Sequence, residues 1–432
     1  MKQSKIIGLC AAVCILTGGC AVDSSIDSLL SPPMISEEQQ EIYSALIEAA
    51  GEDISLVYPR SGAYRSAFVF PDLDMDGEKE AVVFYGSLNG KDSSVRVNIL
   101  DKIDGKWRSV YDHAGGGTTV EQVFFTDLGG TGRLRMAIGY GYMTPTEKTL
   151  KIYCLDDGVL ETEYTGSYYK TLTLDLDNNG GQDIVMVNCN NENHFASLSL
   201  VTDRGEGAEC VSTVDMDPAT VDIPSVIGGY IGNGTPAVFA DGLLGSGNLS
   251  TEIIYCVNGE LRNPARIDGS ELPVRTVRPT GLYSRDIDGD GIIEIPEREA
   301  FPGYKDRQDA QYITNWNVFE NYSMVKKYSS LTDPYSGYAF MIPVRWEGRV
   351  TVKNDGTTGE KVFYKYNGSL AESRLELMRI MVCSKEDSEK YLLLGYTAVA
   401  GTDNAVYMVR FGDTEDNLLL TTAEVSNNFY LY

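Results

Sequence analysis

Apolar and polar positions alternate in short runs along most of the chain, broken at intervals by polar, glycine-bearing stretches. A period of two over four to eight residues is the pattern of half-buried strands. Runs at 95–100, 107–111, 149–154 and 159–164 read this way, and 81–84 and 253–256 are short unbroken apolar runs that also read as strands. An early segment differs. Behind the capping-box pattern Ser36-Glu37-Glu38-Gln39, residues Ile42, Leu46 and Ile47 have helical spacing, and Gly51 ends it. The pattern therefore predicts one helix over 36–50 followed by many short strands.

The polar breaks are copies of one another. One copy runs Asp72, Asp74, Asp76, Gly77, Glu80; another runs Asp175, Asp177, Asn179, Gly180, Asp183; a third runs Asp286, Asp288, Asp290, Gly291, Glu294. Two decayed copies begin at Asp127 and Gly229, so the starts are spaced by 55, 48, 54 and 57 residues. Each copy joins two apolar runs, and two more runs follow before the next. Four short antiparallel strands in such a repeat form one β-propeller blade, which buries its faces only by stacking on neighbours. The prediction is a mainly β chain: a five-bladed β-propeller within 36–332, then a small α+β domain over 333–432. The run 54–58 is expected to give the last blade an outer strand and close the ring. An irregular β-solenoid is the structural alternative.

These loops resemble the FG-GAP/VCBS repeat, a family that includes integrin α-subunit heads and many bacterial surface proteins. The resemblance implies a propeller, usually seven-bladed in that family, across about 270 residues of this chain.

Loop positions 1, 3 and 5 converge on one point, a glycine at position 6 turns the chain, and an acid at position 9 closes the shell. Hard oxygen donors in a flexible loop suit Ca²⁺. The expected ligands are Asp72, Asp74, Asp76 and Glu80 with the Glu78 carbonyl; Asp175, Asp177, Asn179 and Asp183 with the Gly181 carbonyl; and Asp286, Asp288, Asp290 and Glu294 with the Ile292 carbonyl. Two like charges ~4 Å apart repel by about 4 kcal/mol at an effective dielectric of 20, so a filled acidic loop calls for a cation. The second loop has Gly129, Thr131 and Arg135 at ligand positions, and the fourth has Gly229, Ile231 and Ala237. Both are expected to be metal-free, with the Arg135 guanidinium standing in for an ion.

The chain has 432 residues, 62 acidic and 36 basic, for a formal net charge of −26. That excludes the basic footprint of a nucleic-acid binder. Eleven of the acids are accounted for by the three loops. The two histidines, His113 and His194, leave little for a histidine metal site or triad.

The N-terminus carries Lys2 and Lys5, an apolar stretch over 6–16, and Leu16-Thr17-Gly18-Gly19-Cys20. The stretch is long enough for a signal sequence and too short to span a bilayer. Small residues before the cysteine resemble the lipobox of bacterial lipoproteins. The resemblance implies removal of 1–19, acylation of Cys20, and anchoring in a lipid bilayer at roughly 0.8 kcal/mol per buried CH₂. Residues 20–35, rich in Ser, Asp and Pro, read as a tether with a reach of roughly 50 Å. Cys154, Cys189, Cys210, Cys256 and Cys383 form no CxxC pair and read as buried thiols, with one disulfide left open.

Beyond 333, strand runs are expected near 335–342, 350–352, 361–366, 375–382, 392–399 and 405–411, with helices at 384–390 and 414–428. The opening of this piece, with Pro343 and Trp346, is similar to compact domains of bacterial lipoproteins, and Trp346 reads as a core anchor. Ser323–Lys326 matches SxxK without its companion motifs, and Gly115–Gly117 lacks a following Lys-Ser/Thr. No catalytic set stands out. The expectation is a membrane-anchored extracellular lipoprotein, a non-catalytic binding or scaffolding module stiffened by calcium loops. Its partner would be an envelope protein or glycan. The alternative is a carbohydrate-active enzyme with an acidic pair in the propeller funnel.

Overall fold

A computed structural model describes residues 36–88, 94–142, 148–156, 159–266 and 276–431. Residues 1–35, which include the expected export signal, the expected tether and Cys20, lie outside the described residues. No described helix is long and apolar enough to cross a membrane.

The chain is mainly β, in several antiparallel sheets. The first holds Ile54–Leu56, Ala81–Ser87, Arg96–Ile103 and Lys106–Ala114, with Phe68–Val69 also on Ala81–Ser87. The second holds Thr119–Asp127, Leu134–Gly141, Lys148–Asp156 and Val159–Ser167. The third holds Lys170–Leu174, Asp183–Asn190, Phe195–Asp203 and Ala208–Asp215. The fourth runs Thr220–Tyr230, Pro236–Leu244, Asn248–Val257 and Glu260–Arg262, and the fifth opens Ile295–Ala300, Tyr312–Glu320, Ser323–Asp333. In the second and third sheets sequential neighbours pair, because each loop is too short to reach past the adjacent strand.

Successive sheets share cores. Val82, Phe84, Val97 and Ile99 of the first pack on Val123, Met136 and Ile138 of the second. The second turns Ala137, Leu150 and Ile152 to Ile184, Met186 and Val201 of the third. The third turns Val185, Val187 and Leu198 to Val238, Ala240 and Ile254 of the fourth. The fourth turns Ala237, Phe239 and Ile253 to Ile293, Ile295 and Phe319. Central strands are therefore buried on both faces. This is why 81–85 is an unbroken apolar run and all five side chains are buried. Each buried aliphatic group stabilises by roughly 1.5–3 kcal/mol, and truncating wholly buried Phe239 to Ala costs about 3–5 kcal/mol.

The ends of this row are covered differently from the expectation. Helix Glu37–Ala50, with the predicted Ser36–Gln39 capping box, lays Ile42 and Leu46 on Phe68, Val83, Tyr85 and Trp107 of the first sheet. The strand expected to close a ring does not reach the fifth sheet. Ile54–Leu56 pairs antiparallel with Tyr85–Ser87, because the chain leaving the helix at Gly51 emerges beside that strand. Among the described residues no shared core joins the fifth sheet to the first.

At the other end, Tyr338–Met341 and the terminal Phe429–Leu431 extend the fifth sheet. Its outer face shares one core with a sheet of Val350–Asn354, Lys361–Lys365, Glu376–Ser384, Ala405–Phe411 and Thr397–Gly401. Trp346 is a core anchor: it is buried, and its Nε1 donates to Leu418 O at 2.6 Å. The expected strand at 392–399 starts only at Thr397, because the Ser384-capped helix Lys385–Leu393 runs on and turns at Gly395 (φ 83°). The expected terminal helix shrinks to Thr422–Asn427, capped by Thr421 and Glu424, since the residues after it pair as a strand. Ser323–Lys326 lies in the strand Ser323–Asp333. Gly115 and Gly117 pack against Tyr140 and Gly141, where a Cβ would collide, so this glycine run serves sheet packing.

Candidate metal centres and cleft

The first four repeat loops each join two paired strands of one sheet, and the fifth leads into Ile295–Ala300, the first strand of its sheet. Position 6 is glycine in all five, with φ of 95°, 76°, 92°, 81° and 86° at Gly77, Gly132, Gly180, Gly234 and Gly291. This left-handed turn is the feature that the decayed copies retain. In the three acidic loops three further bonds recur. The position-1 carboxylate accepts from the position-6 N–H: Asp72 from Gly77 at 3.2 Å, Asp175 from Gly180 at 3.0 Å, Asp286 from Gly291 at 2.8 Å. The position-5 side chain accepts from the position-7 N–H: Asp76 from Glu78, Asn179 from Gly181, Asp290 from Ile292. The position-9 acid accepts from the position-2 N–H: Glu80 from Leu73, Asp183 from Leu176, Glu294 from Ile287.

These bonds gather oxygens without neutralising them. Asp72, Asp74 and Glu80 bring one oxygen each within 4.8 Å of the others, as do Asp175, Asp177 and Asp183, and Asp286, Asp288 and Asp290. The carboxylates of Asp76 and Glu294 fall outside these groups. Asp183 is wholly buried, accepts from Leu176 N–H and has the Thr202 hydroxyl beside it, while the buried Asp72 Oδ1 has no hydrogen-bond partner among the described residues. An unmatched buried carboxylate oxygen is costly, and a cation is the group that satisfies it. Burial pushes the Asp183 carboxyl up from the usual range, with the Asp177 charge adding to it. Burial likewise pushes Glu80 up to about 7, against the Leu73 bond and with Asp74, Asp101 and Asp72 adding. The donor sets at the first and third loops fit a hard divalent ion.

The fifth loop differs. Lys327, from the third strand of the same sheet, places Nζ 2.9 Å from Asp288, 2.6 Å from Asp290 and 2.8 Å from Glu294. Burial alone would depress Lys327, but these three bonds hold it well above the usual range. A side-chain ammonium thus sits among the fifth loop's acids. No sequence signal marks this, because Lys327 arrives from a strand two turns of chain away.

The second loop behaves in kind. Arg135 is fully buried, donates to Thr131 at 2.7 Å and Glu163 at 3.2 Å, and pairs with Asp203 of the third sheet. Its position-1 Asp127 still accepts from Gly132 N. In the fourth, Gly229 lies in a strand and Ile231–Thr235 closes a tight turn, so neither decayed loop gathers acids.

His113 is exposed on an edge strand, and His194 is exposed in a turn at φ 49°. All five described cysteines are free; Cys154 is buried, whereas Cys210 is exposed because Ala208–Asp215 is the edge strand of its sheet.

At the end of the sheets away from the loops, the second and third sheets part. On strand Asp183–Asn190 one face reads Ile184, Met186, Asn188, Asn190: the apolar half is in the shared core and the polar half is not. Asn190 sits opposite Phe195, and Asn188 opposite Ser197. The opening is a cleft of about 680 Å³, within the size range of small-molecule sites. Tyr142 and Phe195 stand exposed at its rim, and Tyr164, Tyr168 and Tyr169 line its walls. Gly139 and Gly166 make room for the Tyr168 and Tyr164 hydroxyls, which a Cβ would strike. Sequence reasoning missed this cleft, since its lining comes from two sheets.

No protein-family model matches the chain, and no curated protein matches it. Among solved structures, it is similar to the rhamnogalacturonan lyase YesW at 13% identity and TM-score 0.30, over 72% of this chain and 74% of that one. It is similar to an exo-β-1,3-galactanase from Phanerochaete chrysosporium at 11% identity and TM-score 0.28, over 76% and 79%. A Bacillus licheniformis rhamnogalacturonan lyase gives 10% identity and TM-score 0.28, over 82% and 91%. Likeness this distant does not bear on chemistry.

Proposed function

We propose that this chain is a lipid-anchored, extracytoplasmic binding module whose repeat sheets are stiffened by calcium. The sheets are read as FG-GAP-type propeller blades in an open row, tethered through acylated Cys20 by residues 20–35. Its partner is an envelope component. The observation that carries the reading is the convergence of the wholly buried Asp183 on Asp175 and Asp177, with one oxygen of each within 4.8 Å of the others. Asp175, Asp177 and Asp183 would hold one ion, and Asp72, Asp74 and Glu80 another. Hydrolysis by two carboxylates gains no support from the cleft, because none of its described lining residues is acidic.

The test is melting of the chelated chain against added Ca²⁺. Wild type should gain several degrees at millimolar Ca²⁺. Asp183→Asn, which keeps an acceptor for the Leu176 N–H, should lose a large part of that gain. No shift in wild type would sink the calcium reading. For the anchor, detergent partitioning should be lost in Cys20→Ser.

A further inference from the structure

We propose that the cleft between the second and third sheets binds an acidic oligosaccharide, one carrying carboxylates on its sugar rings. This names the ligand class of the binding module and rests on that reading.

Three features point there. The first is charge. In a chain with 62 acidic and 36 basic residues, the described cleft lining has no carboxylate and a single cation, Lys148. In the adjoining groove Lys170 donates to the Pro224 carbonyl, Glu121 is already bonded to Arg60 and Thr119, and the nearby Asp222 carboxylate accepts from the Tyr169 hydroxyl. Lys148 Nζ lies 5.9 Å from the Tyr168 ring centre and 6.0 Å from that of Tyr169, and no ion pair to a carboxylate is present among the described residues. Aromatic faces hold an ammonium without neutralising it. Lys148 is therefore the cation that the cleft itself presents to a ligand, in a chain with an acidic excess.

The second feature is shape. Flat rings at the rim, Phe195 and Tyr142, offer stacking surfaces to the C–H face of a sugar. The third is the polar set. Asn188 and Asn190 project from one strand face at the i, i+2 spacing, and an amide offers donor and acceptor together. Vicinal sugar hydroxyls need that combination. A nucleic acid would need a far larger basic surface.

The experiment is titration calorimetry of the full chain with Ca²⁺ present. The probes are linear tetramers of glucuronate, mannuronate and galacturonate, each beside its neutral hexose counterpart. The expected result is that at least one uronate tetramer binds and its neutral counterpart binds at least tenfold more weakly. Lys148→Met and Asn190→Asp should each weaken that binding tenfold or more, with melting temperature unchanged. Phe195→Ala should weaken it as well. Binding of no uronate tetramer, equal binding of the neutral counterpart, or binding indifferent to Lys148→Met and Asn190→Asp overturns the proposal. Melting against Ca²⁺ on the same samples separates the two readings: a calcium response without uronate binding removes only the ligand assignment.

Discussion

Lys327 donates from Nζ to Glu294 Oε1 at 2.8 Å, so a tethered ammonium is bonded to the buried acid that closes the fifth loop. The same nitrogen reaches Asp288 and Asp290. Lys327→Met should therefore destabilise the chelated chain by about 1–3 kcal/mol, since charged groups lose their partner. It should also create a calcium response that wild type lacks at this loop. Melting of wild type and variant across a Ca²⁺ series checks both. A variant no more calcium-responsive than wild type would show that the ammonium does not compete with an ion there.

Glu80 gives a pH dependence of definite sign. Burial raises its folded pKa from 4.5 to about 7, so the folded state holds the proton more tightly than the unfolded chain. Its contribution is full below pH ~4.5, declines as pH rises toward ~7, and is flat above. The loss amounts to about 3 kcal/mol over that window. Denaturant titrations of the chelated chain from pH 4 to pH 8 should show it. Glu80→Gln should remove the slope, and Ca²⁺, which binds the charged carboxylate, should flatten it.

Arg135 binds the second sheet to the third through Asp203 while bonded to Glu163. Arg135→Met leaves Asp203 buried with its charge unanswered, and a loss of about 3–5 kcal/mol is expected. The double variant with Asp203→Asn should recover a measurable part of it. Additive losses in that cycle would show that the two side chains are not coupled.

Gly180 separates backbone strain from packing. Its φ is 92°, and a Cβ there would meet nothing within 4 Å. Gly180→Ala should cost about 1–2 kcal/mol through conformation alone, and the calcium affinity of the third loop should fall with it. A neutral effect on both would mean the loop tolerates another turn.

Much of this was legible beforehand, and the exceptions share a cause. The capping box at Ser36, the helix it starts, the five loops and the burial of Trp346 all depend on residues close in sequence. The placement of 54–58 did not, because a short apolar run fits any free sheet edge and only the helix before it decides which. The same holds at the sites. Asp175, Asp177 and Asp183 converge because one loop holds them. Lys327, Asp203 and the cleft around Lys148 come from strands that meet only after the sheets stack, and no local pattern encodes that meeting.

The row of sheets has one more consequence. Every interface within it is built from the same alternating apolar faces, so nothing in the repeat itself limits how many units could be added. The limit comes from two pieces that are not repeats: Ile42 and Leu46 of the first helix at one end, and the sheet containing Phe363 and Ile380 at the other. Stripped of the helix, the face of Phe68, Val83, Tyr85 and Trp107 would be an open template for another molecule. The two terminal pieces therefore cover the apolar faces at both ends of the row.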